Sequence, residues 1–237
     1  MNAYYLTRLA GKRLQQVYEL APERIRRHLN AEIRYVMERI NEGDAVLELG
    51  CGYGRVLKPL LEKAGTVVGV DISAESLALA REYVGAHMNC HLFKMNAVSL
   101  GFADGQFDVV LCLENGLSTF RVNKRRLVRE AMRVTRPGGL VIFSTYAKDF
   151  WEPRLEWMQI QARRGLVGEI DRERTGSGTI MCKDGHRIGL VTPEDFIYLL
   201  AEFNTVPKVV ELDRSGVVFE IHVRRRALEL SSLKASA

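Results

Sequence analysis

Hydrophobic positions repeat with two different periods along this chain, and the change of period divides it. Between residues 22 and 41, Ile25, Leu29, Ile33, Val36 and Ile40 recur at helical spacing. Pro22 suits the first position of that helix, where its missing N–H costs nothing. A separate helix is expected over 4–19. From Asp44 onward, short apolar runs alternate with helical stretches. Strands are expected over 44–49, 66–71, 91–95, 107–113 and 140–145. Helices are expected over 53–63, 74–86 and 122–134, the last stopped by Pro137-Gly138-Gly139. The run 107–113 is unbroken and apolar, as a strand buried on both faces must be. This alternation predicts an α/β protein whose parallel sheet carries helices on both faces.

Beyond residue 145 the pattern changes. A helix is expected over 150–164, followed by a Gly-, Thr- and charge-rich stretch, 169–190, with Asp184-Gly185 as a hairpin turn. Another helix is expected over 193–203, with Thr192 as its N-cap and Glu194 and Asp195 favouring its dipole. Residues 209–212 and 217–223 alternate and read as an antiparallel hairpin. The chain thus divides into an N-terminal helical cap (1–41), an α/β core (42–145), an insertion (146–190), a last helix and hairpin that return to the core (191–226), and a tail (227–237).

Hydrophobic residues make up 47% of the 237 positions and charged residues 27%, the balance of a soluble globular protein with a core of its own. Cys51, Cys90, Cys112 and Cys182 form no C-x-x-C pair, and the five histidines show no H-x-x-x-H spacing. Reduced thiols are expected, with no disulfide framework and no metal site. No apolar run approaches the roughly 20 residues of a membrane helix. The first 14 residues lack a signal-peptide core, so a soluble, cytoplasmic protein is expected. The net charge is +5, but residues 1–41 carry +4, 121–136 carry +6 and 221–237 carry +3, which leaves the remainder at −8. A basic rim can attract nucleic acid or an anionic small molecule; solvated helix faces account for the same charges.

The segment Glu48-Leu49-Gly50-Cys51-Gly52-Tyr53-Gly54 follows a strand and opens a helix. Glycines there permit a tight turn and close approach of a ligand to the backbone, although a tight turn without a ligand needs them equally. The spacing is G-x-G-x-G and not the dinucleotide G-x-G-x-x-G, since position 55 is Arg. Asp71 stands at the end of the next strand, where an acid can hydrogen-bond a ribose diol.

These residues resemble the class I S-adenosylmethionine-dependent methyltransferases. The resemblance rests on Ala45 to Arg55, on Gly69-Val70-Asp71-Ile72-Ser73, on Phe107-Asp108-Val109-Val110, and on Arg133-Val134-Thr135-Arg136-Pro137-Gly138-Gly139. It covers residues 40–145 closely and the terminal hairpin loosely. It implies a Rossmann-like, doubly wound, mostly parallel seven-stranded sheet with an antiparallel C-terminal hairpin, and S-adenosylmethionine as the cofactor. By this resemblance Gly50, Gly52 and Gly54 shape the bed for the methionine part, and Glu48 supports its ammonium. Asp71 takes the ribose hydroxyls and Ile72 packs on adenine. Asn96 stands where the family usually has an acid that accepts from the adenine amine; its amide oxygen can accept the same bond. Ala97 offers its N–H to the adenine ring, and Leu113 and Glu114 complete the cofactor side.

The acceptor is less legible, because methyl transfer from a sulfonium needs alignment and exclusion of water more than acid–base chemistry. After the fourth strand comes Leu113-Glu114-Asn115-Gly116, with neither the Asn-Pro-Pro-aromatic motif of amide methyltransferases nor the Pro-Cys pair of cytosine C5 enzymes. The N-terminal helices and the insertion 146–190 resemble the acceptor-side parts of small-molecule members of the family, which implies a small-molecule acceptor bound between them. Candidate catalytic residues are His186 as a general base, Glu114 at the donor–acceptor boundary and Tyr5. A surface position for His186 and core packing for Trp157 and Met158 are the alternatives. Two other functions are weighed: an RNA or protein methyltransferase using Arg125, Arg129, Arg133 and Arg136 on one side of the basic helix, and a non-catalytic cofactor-binding protein. No membrane partner is expected, nucleic acid is disfavoured, and the oligomeric state, monomer or homodimer, is open. Residues 1–20 are expected to serve as a cover that orders on binding, or as a docked helix held by Leu6, Leu9, Leu14 and Val17.

Overall fold

The computed structural model describes residues 3–224. The chain opens with α1 (Ala3–Thr7), α2 (Gly11–Glu19) and α3 (Glu23–Met37). Strands and helices then alternate: β1 (Ala45–Leu49), α4 (Leu57–Leu60), β2 (Thr66–Asp71), α5 (Ala74–Val84), β3 (Cys90–Lys94), β4 (Phe107–Cys112), α6 (Gly116–Thr119), α7 (Lys124–Val134) and β5 (Thr135–Tyr146). The insertion holds α8 (Trp151–Arg163) and a short ribbon, β6 (Ile180–Met181) with β7 (Arg187–Ile188). The chain returns through α9 (Pro193–Leu200) to the hairpin β8 (Lys208–Leu212) and β9 (Gly216–His222).

The main sheet runs β3-β2-β1-β4-β5-β9-β8. Its first five strands are parallel, and β9 and β8 are antiparallel. Strand order reverses between β1 and β4, so the crevice beyond their carboxyl ends is the topological switch point where such sheets bind ligands. Alternation along each strand sorts the core. Leu47, Leu49, Val110, Cys112, Val141 and Phe143 face α7 and α9. Val46, Val109, Leu111, Leu140 and Ile142 face α3, α4 and α5. This period of two makes both faces of β4 apolar, as its unbroken run requires.

Three elements differ from expectation. The helix expected over 4–19 is broken before Gly11, which takes φ +52° and donates its N–H to Ser76 Oγ at 3.0 Å. A Cβ there would fall 2.4 Å from the Glu75 carboxylate, so only glycine lets α2 lie this close to α5. The helix expected over 53–63 shrinks to Leu57–Leu60, because the glycine turn occupies its start and Pro59 has no N–H to donate. Pro137-Gly138-Gly139 does not stop α7. The helix ends at Val134 and the three residues form an irregular start to β5, where the register with β4 jumps from Phe107↔Thr135 to Val109↔Leu140. The tail 227–237 lies outside the described residues.

A third cluster covers the carboxyl ends of the strands. Leu9, Val17, Ile25 and Leu29 pack there against Tyr146, Phe150, Trp157 and Met158. Trp157 Nε1 donates to Val17 O at 3.0 Å, and Arg13 donates to Gly165 O and Leu166 O. The core pattern therefore begins at Leu9 and not at Ile25, and residues 3–20 stand as docked helices rather than as a loose cover. The N-cap of α9 is a full capping box between Thr192 and Asp195. Thr192→Ala is expected to lower stability by about 1 kcal/mol, read as a shifted urea midpoint at unchanged slope.

Candidate functional site

A cleft with an empty volume of ≈ 1240 Å³, counted with its mouth, opens over the ends of β1, β2 and β4. Its floor is the glycine turn. Gly50, Gly52 and Gly54 have φ of +77°, +54° and +89°. The N–H groups of Gly50 and Cys51 both donate to Val70 O, at 2.8 and 3.0 Å, folding the turn over the end of β2. Gly52 N–H donates to Asp71 Oδ2 at 3.0 Å and Ser73 N–H to Oδ1 at 2.8 Å. Asp71 thereby ties the turn to its own strand and keeps a lone pair on each oxygen. Burial raises its carboxyl above the usual range, against these backbone donors. Gly50 and Gly52 line the cleft; Gly54 does not, and its missing side chain makes room for Val84 and Ala80 of α5. Gly54 thus stands behind the cleft wall, where its φ of +89° shapes the turn and its missing side chain admits α5.

Asp71, Ile72, Asn96, Ala97, Leu113 and Glu114 all line the same cleft. Asn96 Oδ1 accepts from Val98 N–H at 3.2 Å, which fixes the amide and leaves its second lone pair free. Glu48, at the end of β1, is buried with Oε2 unpartnered. Burial pushes its carboxyl up to about 8, Arg55 opposes this, and Asp71 and Glu32 add to it. Glu48 is not among the residues that line the cleft; its unpaired buried carboxyl adjoins the turn at Gly50 and Gly52, where it can attract an amino-acid ammonium.

The other end of the cleft is walled by Tyr5, Tyr18, Tyr146, Trp157 and Met158, with Arg154 and Gln161 among them. Glu114 joins the two ends. Its φ is +53°, its N–H donates to Ser144 Oγ at 2.9 Å, and its Oε1 accepts from Tyr146 Oη–H at 2.7 Å. Its Oε2 faces Arg55 at 3.7 Å, and burial together with Glu32 raises its carboxyl. Behind it lie two side chains that the sequence pattern did not single out. His28 and Glu32 are buried one turn apart on α3, and with Glu114 they offer three ligand atoms within 4.8 Å of one another. Arg55, itself buried, is the cation the chain supplies to this group. Tyr5 lines the cleft, and burial with the nearby Glu114 charge raises its hydroxyl well above the ordinary value.

His186 is neither at the surface nor in the wall of the cleft. It is 1% exposed, stacked on Tyr4 with ring centroids 4.0 Å apart, and both ring nitrogens lack a partner. Burial and the Arg121 charge lower its pKa to about 4. It is a packed, neutral ring behind the cleft, and a general-base role loses its geometry. Tyr4 turns away with it: its hydroxyl donates to Asp184 Oδ2 at 2.9 Å. The basic helix is also committed internally. Arg125 and Arg129 pair with Glu202, Arg133 with Glu130 and Asp104, and Arg136 with Asp108. Arg136 falls in β5, beyond the end of α7, so the expected row of four arginines on one helical side reduces to Arg125, Arg129 and Arg133; each of the four is matched by an acid of the same chain. All four cysteines are free, and among the described residues no helix is long and apolar enough to cross a membrane.

A family model described as a methyltransferase domain matches residues 46–139. The chain is 36% identical over 120 residues to an arsenite methyltransferase of Aquipseudomonas alcaligenes, a match covering 46% of this chain and 34% of that protein. It is 32% identical over 116 residues to a ubiquinone biosynthesis O-methyltransferase of Pseudomonas fluorescens, covering 48% and 49%. The chain spans half or less of the length of these relatives. In fold it is similar to the PH0226 protein of Pyrococcus horikoshii, with a TM-score of 0.64 at 20% identity over 94% of this chain and 99% of that one. It is likewise similar to an S-adenosylmethionine-dependent methyltransferase of Methanosarcina mazei, with a TM-score of 0.59 at 21% identity over 81% and 98%. Sheet order, switch-point cleft and glycine turn define a doubly wound α/β protein with a candidate ligand cleft at the switch point. The match to a methyltransferase domain runs from β1 to the start of β5, and the fold is similar to that of solved S-adenosylmethionine-dependent methyltransferases.

Proposed function

We propose that the chain moves a methyl group from S-adenosylmethionine to a small-molecule acceptor by in-line displacement. The observation that carries this reading is the continuity of one cleft, from Gly50, Asp71 and Asn96 at one end to Tyr5, Tyr146 and Trp157 at the other. The bound cofactor supplies an activated methyl: a lone pair of the acceptor forms the new bond while the C–S electron pair stays on sulfur. The residues of this chain bind and align. Glu48 takes the ammonium, the turn at Gly50 and Gly52 presents backbone, Asp71 takes two hydroxyls, and Asn96 with Ala97 reads the adenine edge. The aromatic wall excludes water at the acceptor end. Glu114 lies between the two ends and is the residue placed to receive an acceptor proton, with Tyr146 and Arg55 holding its two oxygens.

Residues 146–190 act as the acceptor-side segment in this reading, since they contribute Tyr146, Arg154, Trp157 and Met158 to the wall. Residues 1–41 act as the cap. The free and mostly buried thiols suit the reducing cytoplasm. The homologous small-molecule enzymes and the internally paired Arg125, Arg129 and Arg133 of α7 support a small acceptor over nucleic acid.

Titration calorimetry tests the donor side. S-adenosylmethionine and its demethylated product are expected to bind saturably and NAD is not; saturable NAD binding with none of the sulfur ligands would remove the reading. Asp71→Ala is expected to weaken the product cofactor by about 1.5–3 kcal/mol for each hydroxyl bond lost, at least tenfold in affinity. A smaller loss with the fold intact would mean that Asp71 does not hold the ribose.

A further inference from the structure

The acceptor end of the cleft contains one charge with nothing to balance it. Arg154, on α8, is 2% exposed, yet its Nε and Nη1 have no hydrogen-bond partner. Its Nη2 reaches only the carbonyls of Gly178, Ile188 and Gly189, at 3.2 to 3.5 Å. Among the described residues no carboxylate forms an ion pair with it; its neighbours are the rings of Tyr146, 4.6 Å from the guanidinium carbon, and Trp151, at 5.9 Å. Ring faces attract a cation without neutralising it. A buried charge in a native protein is paired, because an unpaired one loses its hydration with no return. The carboxylates of the region face a different cation: Glu114 and Glu32 share Arg55, and Glu32 also adjoins His28. Arg154 is the arginine among the described residues that lines the cleft without an acidic partner, and Tyr146 and Trp157 line the same cleft.

We infer that Arg154 is the recognition group for the acceptor, and that the acceptor is a mono-anionic carboxylate on an apolar or aromatic body. The inference rests on the methyltransferase reading and names its substrate class. A single guanidinium with few other donors around it matches one negative charge and not a phosphate dianion, and its planar fork matches a carboxylate. Gln161, one helical turn beyond Trp157 and also in the wall, adds an amide that can donate to the same group. The body of the molecule meets Tyr5, Tyr18, Trp157 and Met158, which are apolar with polar tips. Specificity follows from the same arrangement: a neutral analogue leaves the buried cation unpaired, so it is rejected by more than the loss of one bond.

The test uses the full chain saturated with the demethylated cofactor. Benzoate, phenylacetate and octanoate are titrated calorimetrically beside their neutral mates benzamide, phenylacetamide and octanamide, with and without cofactor. At least one carboxylate is expected to bind saturably and about tenfold or more tighter than its amide. Arg154→Met is expected to erase that preference while the affinity for the demethylated cofactor stays within about twofold. Its melting temperature should hold or rise, because an apolar isostere removes an unpaired charge. If no carboxylate outcompetes its amide, or if Arg154→Met keeps the preference, the assignment is overturned. A fall in melting temperature of Arg154→Met, with carboxylates and amides indistinguishable on the wild type, would make Arg154 a structural strut. Failure of the wider reading looks different: carboxylates would still bind the wild type through Arg154, but the demethylated cofactor would not.

Discussion

Gly50→Val should abolish cofactor binding while the chain still folds. Gly50 has φ of +77°, a region that a β-branched residue adopts only under strain. A Cβ built there falls 2.3 Å from Cζ of Phe120, so the new side chain would displace that ring into the cleft or be forced into it itself. Backbone strain of this kind costs about 1–3 kcal/mol, and each kcal/mol moves the melting temperature by about 2–4 °C for a chain of this size. The larger effect is on the ligand, because bare backbone is the seat: affinity for the demethylated cofactor should fall about a hundredfold or more. Gly43→Ala is the control. Gly43 has a comparable φ of +86° with nothing within 4 Å of its Cβ, and it does not line the cleft. It should lose stability and keep full cofactor affinity. Equal binding by wild type and Gly50→Val would show that the turn carries no ligand.

The half of the cleft proposed for the cofactor was legible because its residues act through local rules. Glycine at positive φ is nearly residue-specific, and Gly50 and Gly52 sit between a strand and a helix, where the sequence announces them. Asp71 ends an apolar run of the length a strand needs, and the observed β2 is Thr66–Asp71. The acceptor half depends on distant elements and reads poorly. His186 stands beside a hairpin turn, a surface position by local rules, but Tyr4 from the other end of the chain covers it. A signal for the missed residues did exist. Arg154, Trp157, Met158 and Gln161 are spaced as one face of α8, and all four are buried. Ile25, His28, Leu29, Glu32 and Val36 do the same on α3. Charged and amide side chains on the buried stripe of a helix mark a site, because a stripe that served packing alone would hold none. Arg55 was read only as part of the glycine motif; its burial against Glu114 depends on the fold of the turn and has no trace in spacing.

Cofactor affinity should rise with pH across the neutral range and release a proton, through Glu48. Burial holds this carboxyl up at about 8 against the Arg55 charge, so at pH 6–7 the free protein carries it mostly protonated. A bound ammonium favours the carboxylate, so binding must expel the proton. Affinity should then increase about tenfold per pH unit between pH 6 and 7 and flatten above about 8, with close to one proton released per cofactor at pH 6. Calorimetry in buffers of different ionisation enthalpy reads that proton directly. The stability of the free protein runs the opposite way. A carboxyl raised in the folded state stabilises the fold fully below its unfolded pKa, near the ordinary 4.5, and that contribution is lost as pH rises towards about 8. Melting temperature without cofactor should therefore decline over the same interval in which affinity climbs. Glu48→Gln should flatten both curves, abolish the buffer dependence and weaken binding at pH 8 by about 3 kcal/mol, the scale of breaking a buried ion pair. A wild-type affinity independent of pH from 6 to 8, with no proton exchanged, would place the ammonium elsewhere in the cleft and leave Glu48 as a buried acid of the sheet.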